Sequence, residues 1–312
     1  MNDEIKKYSN NEDINIRELL ILFWQKRIFI ALCTSVFFVG SIIYVLTVEP
    51  LYQSSATLQI VSSDASAGSG NKQGGIGGAA NLIFNSGGAS QDYVLAQKTI
   101  FSRDFFKHLI SFDGVLAQLV AYESYNPRTK KLIFDSNIFD SENQKWLLSY
   151  DPLDNNDLTY LKAFRTYKSL LKTSWQKDES EFLYLTMVHA SPYFAREFLN
   201  LVITELNSLV RQRKYEEATK SLEYLNLQLS QTSIAGVRSS INSLIKAQLN
   251  TQMLTQVRKD YLLTPLDIPY IPDERFSPRR TFITILFTII GFIISLVLTV
   301  IYRYNFEQIN KT

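Results

Sequence analysis

Residues 266–302 read LDIPYIPDERFSPRRTFITILFTIIGFIISLVLTVIY. The first fifteen hold three X-Pro bonds and end in a basic pair, and the 22 that follow carry no charged side chain. Proline fixes φ and has no N–H, and it pushes the residue before it out of the helical region, so the approach is extended and stiff. Twenty-two helical residues span about 33 Å, which matches the ~30 Å hydrocarbon core of a bilayer. A second uncharged run, IFIALCTSVFFVGSIIYVLTV, occupies residues 28–48. A polar domain of more than 200 residues, 49–280, is therefore expected to be held at both ends by transmembrane helices, 28–48 and 281–302.

Charge gives the orientation. Lys6, Lys7, Arg17, Lys26 and Arg27 precede the first span and Glu49 follows it. The segment 1–27 is thus expected in the cytoplasm, and two spans return the tail 303–312, with Arg303 and Lys311, to the same side. Arg279 and Arg280 stand at the outer end of the second span against this rule, which marks them for contact with lipid headgroups or a phosphorylated lipid. Polar residues lead the first span and no A-x-A cleavage pattern follows it, so it reads as an uncleaved anchor.

The chain has 32 basic and 30 acidic residues, a net charge of +2, and this excludes the strongly basic field of a nucleic-acid binder. Its one cysteine, Cys33, lies in the first span, so no disulfide framework or cysteine metal site forms within one chain. Eight of the twelve glycines fall in residues 68–88, which read as a flexible loop. They lack the Walker pattern, which argues against nucleotide binding.

Along the chain, Ile14, Ile16, Leu19, Leu20 and Phe23 share one side of an interfacial helix, with Trp24 at the headgroup belt. Residues 51–61, LYQSSATLQIV, read as a half-buried strand. Residues 91–112 read as helix with Val94, Leu95, Ile100, Phe105, Leu109 and Ile110 inward, and His108 has no acidic or histidine partner at i+3 or i+4. Mixed helices and loops are expected over 114–153. A surface amphipathic helix is expected over 158–175, with Leu158, Leu161, Phe164, Leu170 and Leu171 on its apolar side. Residues 181–189 read as a buried strand, followed by a helix with Ser191 as N-cap and Pro192 at its first position.

From Pro192 to residue 261 there is no further proline and one glycine, Gly236. Continuous helix over that length would reach about 100 Å. Ser233 and Gly236 are the expected break, where a helical arm over about 191–261 kinks or turns back. Arg211, Arg213, Lys214, Glu216 and Glu217 form a solvated or inter-subunit face, with Arg211, Arg213 and Lys214 as candidate glycan or subunit contacts. DIPYI is a candidate edge strand beside residues 51–61. In the second span Gly291 and Ser295 form a small-xxx-small pair, a candidate helix-packing contact.

Four stretches together resemble the Wzz-type polysaccharide chain-length determinants, the polysaccharide co-polymerases. INIRELLILFWQKR resembles the segment before that family's first span and YQSSATLQI its first strand. YLTMVHASPYFAREFLNLVI is similar to its strand and small-Pro-x-x-Ala helix start. PYIPDERFSPRR resembles its proline-rich signature, at Pro269, Pro272, Ser277, Pro278 and Arg279, with Arg280 beside them. The resemblance implies an α+β membrane protein: two transmembrane helices flanking a periplasmic α/β base, 49–190 and 262–280, with the long helical arm. It implies two passes through a bacterial inner membrane and a ring homo-oligomer.

The implied function is non-enzymatic control of O-antigen (lipopolysaccharide) chain length, exercised with a separate O-antigen polymerase on lipid-linked polysaccharide. No cofactor, metal or catalytic residue is implied. The residues agree, offering no Ser/His/Asp arrangement and only His108 and His189 for base chemistry. A kinase-free capsule or exopolysaccharide export co-polymerase is the alternative, since few residues follow the second span to hold a kinase. A two-span sensory receptor is a more distant one.

Overall fold

The computed structural model describes residues 16–61, 89–147, 158–176 and 182–309. The expected flexible loop over 68–88, the whole segment before residue 16, and Lys311 lie outside the described residues. In chain order the described elements are α1 (Ile16–Gln25), α2 (Arg27–Thr47), β1 (Tyr52–Ile60), α3 (Ala89–Ile100), α4 (Arg103–Ile110), α5 (Val115–Val120), β2 (Tyr122–Asn126) and β3 (Lys131–Phe134). Next come β4 (Phe139–Asp140), β5 (Lys145–Trp146), α6 (Leu158–Leu170), β6 (Leu171–Gln176), β7 (Phe182–His189), α7 (Pro192–Gln231), α8 (Ala235–Val257), β8 (Leu263–Asp267) and α9 (Arg280–Ile309). They divide into a helical unit, Met1–Pro50 with Ser277–Thr312, and an α/β unit, Leu51–Phe276.

In the helical unit two helices are long and apolar enough to cross a bilayer: Arg27–Thr47, of mean hydropathy 2.4, and Arg280–Tyr302, of mean hydropathy 2.7. Both expose large apolar side chains such as Leu32, Val36, Phe282 and Ile293, as a lipid-facing surface requires. α1 runs into α2 with little interruption, since the Lys26 N–H donates to the Leu22 carbonyl and the Ile30 N–H to the Lys26 carbonyl.

The α/β unit is built on a four-stranded sheet of order β6-β7-β1-β8, with antiparallel neighbours. Alternation decides its buried face. Tyr52, Ser54, Ala56 and Leu58 of β1 stand opposite His189, Met187, Leu185 and Leu183 of β7, and all eight are buried. Against that face lies the first half of α7, where Phe194, Phe198, Leu199, Val202, Ile203, Leu206 and Val210 recur at helical spacing and are buried. The boundary expected near residue 191 therefore falls inside the core, because residues 192–210 of the long helix pack on the sheet. Beyond Val210 only Ala218 and Leu225 of α7, and Ile241 and Thr255 of α8, are buried.

The helix start at Ser191 follows its expected chemistry: the Ser191 hydroxyl accepts from the Phe194 N–H, with Pro192 in the first turn. The helix breaks at residues 232–234, close to Ser233, and α8 turns back along α7. Gln252 donates to the Thr219 hydroxyl, and Asn207 bonds to Leu262 and Leu263 further down, so the two helices run antiparallel.

Several local expectations change. The helix expected over 91–112 is interrupted before Ser102, whose hydroxyl accepts from the Phe105 N–H to start α4. Ala96 and Phe106 are buried while Val94 and Leu95 are exposed. The helix expected over 158–175 ends at Leu170 and continues as strand β6. It is no surface helix: Tyr160, Ala163 and Tyr167 are fully buried, with the Tyr167 hydroxyl donating to the Ile100 carbonyl and that of Tyr160 to the Arg103 carbonyl. Over 114–147 two small hairpins, β2-β3 and β4-β5, appear where mixed helix and loop were expected.

His189 is enclosed at the end of β7. Its Nε2–H donates to the Gln118 carbonyl and its Nδ1 accepts from the Ser191 N–H, each at 3.1 Å, which fixes the neutral tautomer. Burial outweighs those bonds and pushes the imidazole pKa down to about 4. The unfolded chain, with a histidine pKa near 6.5, takes up the proton first, so the fold loses stability as pH falls from about 6.5 toward 4, by up to about 3 kcal/mol. Thermal melts of the purified protein at pH 7.5 and 4.5 should show this loss, and His189→Gln should flatten that part of the profile. Equal pH dependence in both proteins would contradict the assignment.

Candidate functional site

The proline-rich segment is the candidate site, and its residues divide between the two units. In the α/β unit, β8 is an edge strand that pairs with β1, Leu58 facing Pro265 and Ile60 facing Leu263. An edge accepts Pro265, whose missing N–H removes no ladder bond from the open side. Leu266 has no partner in the register, which shifts at Thr57/Leu58, and its side chain is exposed. The strand expected over DIPYI thus lies a few residues earlier and shares only Asp267 with it.

Past the strand, Pro269 and Pro272 are buried and flank Tyr270, whose carbonyl accepts from the buried Ser54 hydroxyl of β1 at 2.8 Å. Two residues without N–H donors can be buried here at no cost in unpaired backbone donors. At the unit's limit the Phe276 N–H donates to the Leu51 carbonyl at 2.8 Å. Its first and last residues are thereby joined.

In the helical unit, Ser277 and Pro278 are half-buried and linked by a cis peptide bond. Arg279 and Arg280 are exposed, and among the described residues neither pairs with a carboxylate. Gly291 lies against α2: a Cβ there would meet the Phe37 Cβ at 2.5 Å. Ser295 is fully buried, as are Ser41 of α2 and, nearly, Thr299, and the three hydroxyls bond carbonyls of their own helices. Lipid supplies no hydrophobic drive between helices, so close approach over small residues has to hold such a pair.

Arg211, Arg213 and Lys214 lie on α7 just past its packed half. Arg213 is exposed, Arg211 and Lys214 are half-buried, and Lys214 pairs with Glu217 at 3.1 Å on the same helix. An exposed i,i+3 pair of this kind contributes only a few tenths of a kcal/mol.

Three side chains matter through partners the sequence did not show. Asn207 is buried on α7; its Oδ1 accepts from the Leu262 and Leu263 N–H groups at 2.9 Å, and its Nδ2 donates to the Leu263 carbonyl at 2.8 Å. One amide thus fastens the return of the helical hairpin to the start of β8. The available signal was an amide in the stripe Ile203, Leu206, Val210. His108 does have a partner: its Nε2 lies 2.7 Å from the Glu205 carboxylate on α7, 97 residues away, where no local spacing could show it. His189 is the third. Among the described residues no group of three His, Cys, Asp or Glu is placed to hold a metal ion.

Two substitutions test these contacts. Asn207→Ala leaves two N–H groups and a carbonyl unpaired inside the fold and should cost about 2–4 kcal/mol. Hydrogen exchange should show the Leu262 and Leu263 amides losing protection; unchanged protection would count against the clamp. Gly291→Val forces Phe37 away and should destabilise the α2–α9 pair by about 1–3 kcal/mol, with partial rescue by Phe37→Ala, read from thermal melts in detergent.

No curated protein matches the chain. A solved structure described as a full-length bacterial polysaccharide co-polymerase matches over 94% of this chain and 99% of its own, at 14% identity and a TM-score of 0.38. Residues 12–111 match the family model described as Wzz, chain length determinant protein. Over that stretch, from the segment before α2 through β1 to the end of α4, this chain is a match to the Wzz chain length determinants, the family its sequence resembles.

Proposed function

We propose that the chain sets the length distribution of lipopolysaccharide O-antigen, acting beside a separate membrane polymerase on lipid-linked glycan. The match of residues 12–111 to the chain length determinants carries this reading. Members of that family regulate polymer length and are not enzymes, and the chain is read as a regulator on the same ground. Two spans would hold it in a bacterial inner membrane with both termini in the cytoplasm and the α/β unit in the periplasm. Arg279 and Arg280, exposed at the start of α9, would then face outer headgroups. The hairpin of α7 and α8 supplies a long surface for a second copy in a ring, or for glycan at Arg211, Arg213 and Lys214.

Deletion of the protein should change the banding of O-antigen on a gel, and a ladder unaltered in length distribution would sink the proposal. A change confined to capsule or exopolysaccharide would move the assignment to an export system. Pro272→Ala or Arg279→Ala should shorten or broaden the distribution with the protein still inserted in the membrane. An unchanged ladder in both variants would reduce the proline-rich segment to an anchor.

A further inference from the structure

The helical unit contains a groove of about 720 Å³ between α2 and α9, bounded at one end by Trp24 and Arg27 and reaching Phe38 and Thr288 at the other. Its walls are apolar in effect. The hydroxyls that line it, Thr34, Ser35 and Thr288, bond carbonyls of their own helices at 2.7–2.8 Å and offer no free donor to a guest. The charge is confined to the mouth. Arg27 stacks over the Trp24 ring at 5.5 Å, and the neighbouring Lys26 lies over the Tyr302 ring at 5.3 Å. Among the described side chains neither cation is paired with a carboxylate.

We propose that this groove binds one phospholipid with an anionic headgroup, its phosphate held at Arg27 and one acyl chain laid between α2 and α9 as far as Phe38. Length and charge both favour this occupant. From Arg27 to Phe38 the helix rises about 16 Å, half the ~30 Å hydrocarbon core and the depth of one leaflet. The groove therefore runs from headgroup level to the bilayer midplane, as an acyl chain does; a partner helix needs a face running the full span. A guanidinium stacked on an indole keeps its N–H edge free for bidentate contact with phosphate, and basic pockets between membrane helices take anionic headgroups. This site is independent of what the protein does to glycan length.

The test uses the full chain purified in detergent and offered equal phosphatidylglycerol and phosphatidylcholine, with bound lipid counted by native mass spectrometry. One lipid per chain should be retained, with phosphatidylglycerol preferred. Arg27→Gln should reduce that preference about five-fold, the contribution of one basic contact at an anionic surface, while a lipid is still held. Ala31→Trp, which fills the groove, should lower retention of both lipids, and Ile43→Trp, on an exposed position outside the groove lining, should not. If Ala31→Trp does not insert, Ser35→Leu gives the same reading. Retention unchanged by the Arg27 and groove-filling variants would overturn the site. So would cross-linking of Ala31→Cys between two chains, which would assign the groove to a second copy.

Discussion

Strands about 200 residues apart in sequence, β1 and β8, lie side by side, and the rest of the α/β unit depends on that pairing. The Phe276 N–H bonded to the Leu51 carbonyl extends it to the unit's last and first residues. A chain tied by an apolar helix at each end has to leave and return at one place, and an antiparallel pair of first and last strands does this with ordinary ladder bonds. The long excursion through α7 and α8 is then constrained at its base. Asn207 holds the returning backbone at Leu262 and Leu263, so the hairpin projects from a fixed root although few of its outer residues are buried.

The helical unit is held on other terms. Between membrane helices the gain comes from packing, and Gly291 allows Phe37 to approach to a distance no Cβ would tolerate. The same close approach does not close the pair along its whole length, and the space left between Arg27 and Phe38 is the groove. Contact and gap follow from one arrangement of side-chain sizes. Buried Ser41, Ser295 and Thr299 fit between them because each hydroxyl is satisfied within its own helix.

Under the proposed function, what the fold would supply is surface and tether. The described histidines serve the scaffold: His189 joins β7 to the loop before α7 and to α5, and His108 ties α4 to Glu205 of α7. The proposed functional surface is the hairpin and the segment from Pro269 to Arg280.

Much of this was legible from sequence because it rests on short-range rules. Hydropathy runs of bilayer length gave the two apolar helices, alternation gave β1 and β7, and Ser191-Pro192 gave the start of α7. The break before Ser102, the buried tyrosine stripe of α6, and the two hairpins after Ala121 were not legible. Each is decided by which neighbour covers a face, and periodicity says only that a face exists. The same limit hid Asn207, His108 and His189, whose partners come from remote segments or from backbone that only the folded chain brings near. The sequence by itself determined the apolar helices and the proline-rich return, because bilayer thickness and proline geometry act on consecutive residues. The tertiary structure alone decided the clamp at Asn207, the contact at Gly291 and the groove at Arg27, because each requires two helices, or a helix and a strand, to meet.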